Sequence, residues 1–216
     1  MTKKILITGA NGQLGHEMRN ALKGNNRFEC IFTDVAELDI CNAEAVKQTI
    51  ADNHIDYIVN CAAYTQVDKA EDNAELCKKI NTDAVENLAR AAATYGARMI
   101  HISTDYVFNG RGYRPYTEDV VPDPQSVYGS TKLEGEKILT DICPESIIIR
   151  TAWLYSPYGN NFVKTMLHLG EEREELSVVA DQIGTPTCAA DLAQAILVIL
   201  QADTFVPGTY HFSDEG

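Results

Sequence analysis

Tyr128 and Lys132 stand four residues apart in the run Tyr128-Gly129-Ser130-Thr131-Lys132. On a helix that spacing puts both side chains on one face, one turn apart. An ammonium beside a phenol favours the phenolate, so the tyrosine is expected to titrate below its ordinary value of about 10. Such a tyrosine can give a proton to a carbonyl oxygen, or take one from an alcohol, near neutral pH. The spacing alone does not establish this, because the same pair suits an ordinary solvated helix face. The chemistry requires a redox partner from elsewhere in the chain.

Gly9, Gly12 and Gly15, in Gly9-Ala10-Asn11-Gly12-Gln13-Leu14-Gly15, point to that partner. Glycines at this spacing allow a tight turn, let backbone approach a pyrophosphate, and let the following helix sit close to its strand. A ligand-free glycine corner is the plain alternative. The context favours the ligand: a strand-like Ile5-Leu6-Ile7 comes before, a second strand runs over 28–33, and Asp34 follows. A carboxylate in that place accepts hydrogen bonds from an adenosine ribose. No Lys or Arg occurs in Val35-Ala36-Glu37 to meet a 2′-phosphate, which tilts the choice of NADH or NADPH toward NADH. Thr104 ends a later strand, where ligands of open parallel sheets sit, and its hydroxyl is placed to share a substrate oxygen with Tyr128. The commoner fate of such a residue is a Ser/Thr turn.

The elements that must position these residues can be read from periodicity and punctuation. Strands are expected at 3–8, 28–33, 55–61, 98–103, 146–152, 176–180 and 209–213. Helices are expected from the glycine turn to about 23, over 42–52 with Asn42 as N-cap, over 68–95, and at 126–142, 161–170 and 189–201. The 68–95 region is expected to break near Asp72-Asn73 and to end at Gly96. The Gly-, Pro- and Tyr-rich loop 104–125 is too long for a bare connector and reads as functional. This alternation predicts an α/β fold, a doubly wound parallel sheet of about seven strands. Residues 1–150 form its dinucleotide-binding domain; 151–216 hold the last strands and part of a small substrate subdomain. The alternation calls for a helix after the last strand, so the chain reads as a fragment.

Composition narrows the partners. The 216 residues include 31 acidic and 18 basic side chains, a formal net charge of −13. That disfavours nucleic acid and anionic membranes, which reward basic patches. No run is long and apolar enough to span a bilayer and no signal peptide is visible, which makes the cytoplasm the expected location. The six cysteines contain no Cys-x-x-Cys pair and read as reduced, with Cys61 the one candidate for a reactive thiol. His54, His101 and His168 lack metal-ligand spacing and receive no role, and no metal site is assigned. Asp68, Glu71, Asp72 and Glu75 read as a solvated helix face.

As a set, these residues resemble the extended short-chain dehydrogenase/reductase superfamily and, within it, the dTDP-4-dehydrorhamnose reductase family. The resemblance runs through the glycine turn, Asn60 to Asp68, Ser103 to Gly110, Tyr128 to Glu136, Arg150 to Tyr155 and Asp181 to Thr187. It implies a catalytic set of Thr104, Tyr128 and Lys132. It implies cofactor contacts at Gly9, Asn11, Gly12, Gln13, Leu14, Gly15, Asp34, Asp39, Ile40, Ala62, Ala63, Tyr64, Thr65 and Asn81, besides Tyr128 and Lys132. Substrate contacts would be Val67, Thr104, Asp105, Tyr106, Tyr128 and Trp153. The implied activity is NAD(P)H-dependent reduction of the C4 ketone of a nucleotide-linked deoxysugar, by a monomer or homodimer. Magnesium occurs in some relatives and is not assigned here. The alternatives are an epimerase or dehydratase of the same superfamily, and a non-catalytic regulatory subunit on this scaffold.

Overall fold

The computed structural model describes residues 2–215. Six parallel strands form the central sheet: β1 (Lys3–Thr8), β2 (Phe28–Thr33), β3 (Tyr57–Asn60), β4 (Arg98–Thr104), β5 (Ile147–Thr151) and β8 (Gly208–His211). Their spatial order is β2-β1-β3-β4-β5-β8, each neighbour pair parallel. Two short strands, β6 (Leu154–Tyr155) and β7 (Thr187–Cys188), pair apart from it. The sheet therefore has six strands rather than seven. The segment 176–180, expected as a strand, has no regular structure and is exposed. Its apolar pattern finds no backbone to pair with, and a strand exists only where a neighbour completes its ladder.

The helices are α1 (Gln13–Ala21), α2 (Ala43–Asn53), α3 (Val67–Asp72), α4 (Ala74–Lys78), α5 (Ala84–Tyr95), α6 (Val127–Ile142), α7 (Phe162–Glu172) and α8 (Ala189–Gln201). Asn42 caps α2, its side chain accepting from the Ala45 N–H at 3.1 Å. Gly96 ends α5 in the left-handed conformation at φ 74°. The break near Asp72-Asn73 separates α3 from α4, and a π-helical turn, Lys79–Asp83, joins α4 to α5.

Parallel strands buried on both faces read as continuous apolar runs, and here successive residues feed opposite cores. Leu6, Ile58, Met99 and Ile148 point into one core with Val46 and Ile50 of α2, Val85 and Leu88 of α5 and Leu139 of α6. Ile5, Ile7, Val59, Ile100 and Ile149 point into the other, with Leu14 and Met18 of α1 and Leu192, Ile196 and Leu200 of α8. Truncating any of these fully buried Leu or Ile residues to Ala costs about 2–5 kcal/mol. No residue of α7 is buried. Chain order reverses between β1 and β3, and that switch point opens a crevice at the carboxyl ends of the strands.

Candidate active site

The crevice is a cleft of about 1590 Å³. Single drug-sized ligands occupy roughly 300–1,000 Å³, so this one has room for two substantial ligands. Its floor is the glycine turn. A Cβ on Gly15 would lie 2.4 Å from the Gly9 carbonyl oxygen, so only glycine lets α1 start this close to β1. Gly9 itself has φ +64°, and a Cβ there would meet the Ala62 nitrogen at 2.6 Å. The N-terminus of α1 is thereby exposed to an anion.

Asp34, at the end of β2, lines the cleft and accepts from the backbone N–H groups of Asn11 and Val35, each at 2.9 Å. A carboxylate has about four acceptor sites, so capacity is left for ribose hydroxyls. Asn11, Gln13, Leu14, Asp39, Ile40, Ala62, Ala63 and Thr65 also line it. Gly15, Tyr64 and Asn81 do not. Asn81, on the π-helical turn, accepts from the Tyr64 N–H at 2.8 Å and donates to the Tyr64 carbonyl at 3.1 Å. It clamps the loop that presents Ala62, Ala63 and Thr65, which is a structural way to serve the same site.

The cleft fits a nicotinamide dinucleotide on its own features. The glycine cradle would be filled by any side chain, and the buried hydroxyls of Ser103 and Thr151, both cleft-lining residues, have no partner among the described residues.

Tyr128 and Lys132 enter from α6. The Ser126 hydroxyl caps the helix by accepting from the Gly129 N–H at 3.1 Å, and the Glu71 carboxylate accepts from the Val127 N–H at 2.9 Å. Glu71 is therefore a cap of α6 and not simply part of a solvated face. Gly129 brings α6 against the turn after β4: a Cβ there would lie 2.1 Å from the Tyr106 carbonyl oxygen. Tyr106 then meets Tyr128 edge-on, ring centres 5.5 Å apart. The Thr104 hydroxyl accepts from the Tyr106 N–H at 3.2 Å and donates to Asp105 at 3.1 Å. It is both the Ser/Thr turn and a cleft residue.

The expected titration of Tyr128 is overturned. Burial pushes its phenol up to about 12, although the Thr104 hydroxyl works in the opposite direction. Lys132 does not act as the phenol's counter-ion here. Its Nζ donates to the Ile102 carbonyl at 2.6 Å and lies 3.3 Å from His101 Nε2, and burial lowers its pKa to about 8. Helical spacing put the two on one face; the sheet beneath then drew the amine onto β4. Burial also pushes the Cys61 thiol up to about 12, so it stays protonated and is no nucleophile.

Val67, Asp105, Tyr106 and Trp153 line the same cleft as Thr104, Tyr128 and Lys132. Trp153 has φ +45°, uncommon for a residue with a Cβ, and a Cβ on Gly184 would lie 3.0 Å from its indole. The chain thus lays a bare backbone against the ring. Gln182, Pro186 and Val178 line this end too. Gln182 and Pro186 belong to the stretch Asp181 to Thr187 that carries the resemblance, whereas Val178 has no chemical signature and only its place along the wall reveals it. His101 was likewise passed over, since a lone histidine within an apolar strand gives no spacing signal. Among the described residues, no group of three His, Cys, Asp or Glu side chains is arranged to hold a metal ion, and no helix is long and apolar enough to cross a membrane.

Comparison with known proteins agrees with this geometry. The family profile described as the RmlD substrate binding domain matches residues 3–216. A dTDP-4-dehydrorhamnose reductase of Aggregatibacter actinomycetemcomitans is 44% identical over 216 residues, covering 98% of this chain and 74% of that protein. The crystal structure of a dTDP-4-dehydrorhamnose reductase from Clostridium acetobutylicum superimposes with a TM-score of 0.94 at 50% identity, covering 99% of this chain and 75% of that one. The Bacillus anthracis dTDP-4-dehydrorhamnose reductase in complex with NADP gives a TM-score of 0.96 at 44% identity, covering 100% and 76%.

Proposed function

The chain belongs to the dTDP-4-dehydrorhamnose reductase family, and from that premise we propose that it reduces the C4 ketone of dTDP-4-dehydro-L-rhamnose to give dTDP-L-rhamnose. The observation that carries this reading is the convergence of Thr104, Tyr128 and Trp153 with the glycine turn in one cleft at the sheet's switch point. A bound NADH or NADPH supplies the hydride. The absence of a cation after Asp34 supports NADH, whereas a relative carries NADP.

Tyr128 gives its proton to the ketone oxygen as that oxygen becomes the 4-hydroxyl. A phenol pushed up to about 12 keeps its proton at neutral pH, which is the form a reduction needs. Thr104 turns its hydroxyl from Asp105 to the same oxygen and helps it carry developing negative charge. Lys132, as the ammonium, stabilises the tyrosinate left behind and holds ribose hydroxyls. Trp153 offers a flat apolar wall for the sugar or base. All six cysteines are free thiols, which accords with the cytoplasm.

Tyr128→Phe is expected to lower kcat for ketone-dependent NADH oxidation by about 10²–10⁴-fold while leaving NADH binding nearly unchanged. Turnover at the parent rate would remove Tyr128 from this role. Cofactor retained through purification with no net consumption would favour an epimerase or dehydratase instead.

A further inference from the structure

Beneath Lys132 lies a buried polar chain that the proposed reaction does not use. Thr8 Oγ1 donates to Asn60 Oδ1 at 2.6 Å, and the Ala62 N–H donates to the same oxygen at 3.2 Å. Two donors on that atom identify it as the amide oxygen, so Asn60 Nδ2 is the atom facing His101 Nδ1 at 3.0 Å. An NH₂ group can only donate. Nδ1 is therefore the acceptor nitrogen, and the single proton of a neutral imidazole sits on Nε2. That N–H points at Lys132 Nζ, 3.3 Å away. Thr8, Asn60, His101 and Lys132 are each no more than 1% exposed, so water cannot screen the contact.

An ammonium has three donors and no acceptor, whereas a neutral amine keeps a lone pair. Facing an N–H, Lys132 makes a good bond only as the amine. We propose that His101, held in its Nε2–H tautomer by Thr8 and Asn60, is a positioning residue that disfavours the ammonium form of Lys132 and so makes the lysine's charge answer to what binds beside it. In the ligand-free cleft the lysine gives up its proton readily. When a tyrosinate forms at Tyr128, its negative charge raises the proton affinity of the lysine, and an amine that has lost its proton takes one from solvent in the cleft it lines, so the ammonium stands where the reaction needs it.

The other groups around Lys132 do not account for such a switch. Glu136, one turn along α6, favours the ammonium, but Arg150 grips its carboxylate in three bonds of 2.7 to 3.2 Å. Cys77 of α4 also favours the ammonium, and its thiol is within 3.2 Å of the Thr131 hydroxyl. Asp105 acts on Tyr128. The lowered pKa of Lys132, whose largest cause is burial, agrees with this arrangement, as does that of His101, held well below its ordinary range by burial and by Lys132.

Only the kinetic consequence rests on the reductase reading; the relay itself is read without substrate. Nitrogen-15 NMR of the histidine-labelled, ligand-free protein at pH 7 is expected to show His101 neutral, protonated on Nε2 and bare at Nδ1. A proton on Nδ1, or an imidazolium, overturns the proposal. Lysine-labelled protein then follows the Lys132 titration directly. His101→Phe removes the facing N–H and is expected to raise the midpoint by about one pH unit. Asn60→Leu, which frees Nε2 to accept, is expected to move it the same way. An unmoved or lowered midpoint in a folded variant overturns the proposal, and if neither variant folds the tautomer in the parent protein decides. In turnover, the alkaline limb of the pH profile moves up with the midpoint. A protein with no reductase activity but the expected tautomer and midpoints would defeat the reductase reading and leave the relay standing.

Discussion

Lys132→Met separates the stability of this site from its chemistry. The amine is 1% exposed and its pKa falls from 10.5 to about 8, a difference of 2.5 units. At about 1.4 kcal/mol per unit, burying the charged form costs on the order of 3 kcal/mol at pH 7. Methionine removes that cost and fills most of the volume, while losing the bond to the Ile102 carbonyl, worth about 1 kcal/mol. The variant is expected to gain about 2 kcal/mol at pH 7, roughly 4–8 °C in Tm for a chain of this size, while losing reductase activity. The pH dependence is the sharper quantity. Between pH 8 and 10.5 the unfolded lysine holds a proton that the native amine has released, so the parent gains stability as pH rises. By pH 10 the parent has recovered about 2.5 kcal/mol, which cancels the variant's advantage. Urea unfolding of both proteins at pH 7 and pH 10 measures this double difference, in which groups common to both cancel. An advantage that is equal at the two pH values would refute the reasoning.

Gly129→Ala is expected to destabilise the fold by about 1–3 kcal/mol and lower kcat, because its Cβ would press on the Tyr106 carbonyl at 2.1 Å; the urea midpoint reads the first effect and steady-state assay the second. Arg150→Met strands the buried Glu136 carboxylate and is expected to cost about 3–5 kcal/mol, much of it recovered in Arg150→Met/Glu136→Leu; equal stability of single and double variants in denaturant would count against the pair. Asp34→Ser removes the ribose acceptor and is expected to raise KM for NADH several-fold more than KM for NADPH; an equal rise in both would mean that Asp34 only braces the glycine turn.

Residues that act through their neighbours in the chain were legible in the sequence. The apolar runs of β1, β2, β4 and β5, the Asn42 cap and the Gly96 stop follow from local sterics and hydrogen bonding, and each stands where its pattern put it. The glycine turn with Asp34 could be read for the same reason: its spacing is the geometry of one strand-turn-helix unit. The Tyr128–Lys132 spacing did place both side chains in one cleft. Two local patterns misled about the elements themselves. The apolar segment 176–180 lacked a pairing partner, and Glu71 belonged to the cap of a helix that begins 56 residues later.

What only the tertiary structure decided is the electrostatic state of the site. A pKa depends on what lies within a few ångströms, and here those neighbours come from β4, the turn after it, α4 and α6. The sequence puts Lys132 one helical turn from Tyr128; the sheet puts the Ile102 carbonyl 2.6 Å and the His101 Nε2 3.3 Å from its amine, and buries Lys132 and His101. Tyr128 therefore rises where local reasoning lowered it, and Lys132 falls. Asn81 and Gly129 likewise take their meaning from segments they meet only after folding, one clamping the loop at Tyr64 and the other yielding space to Tyr106. Types and spacing determined which groups reach the cleft, and packing determined where their protons reside.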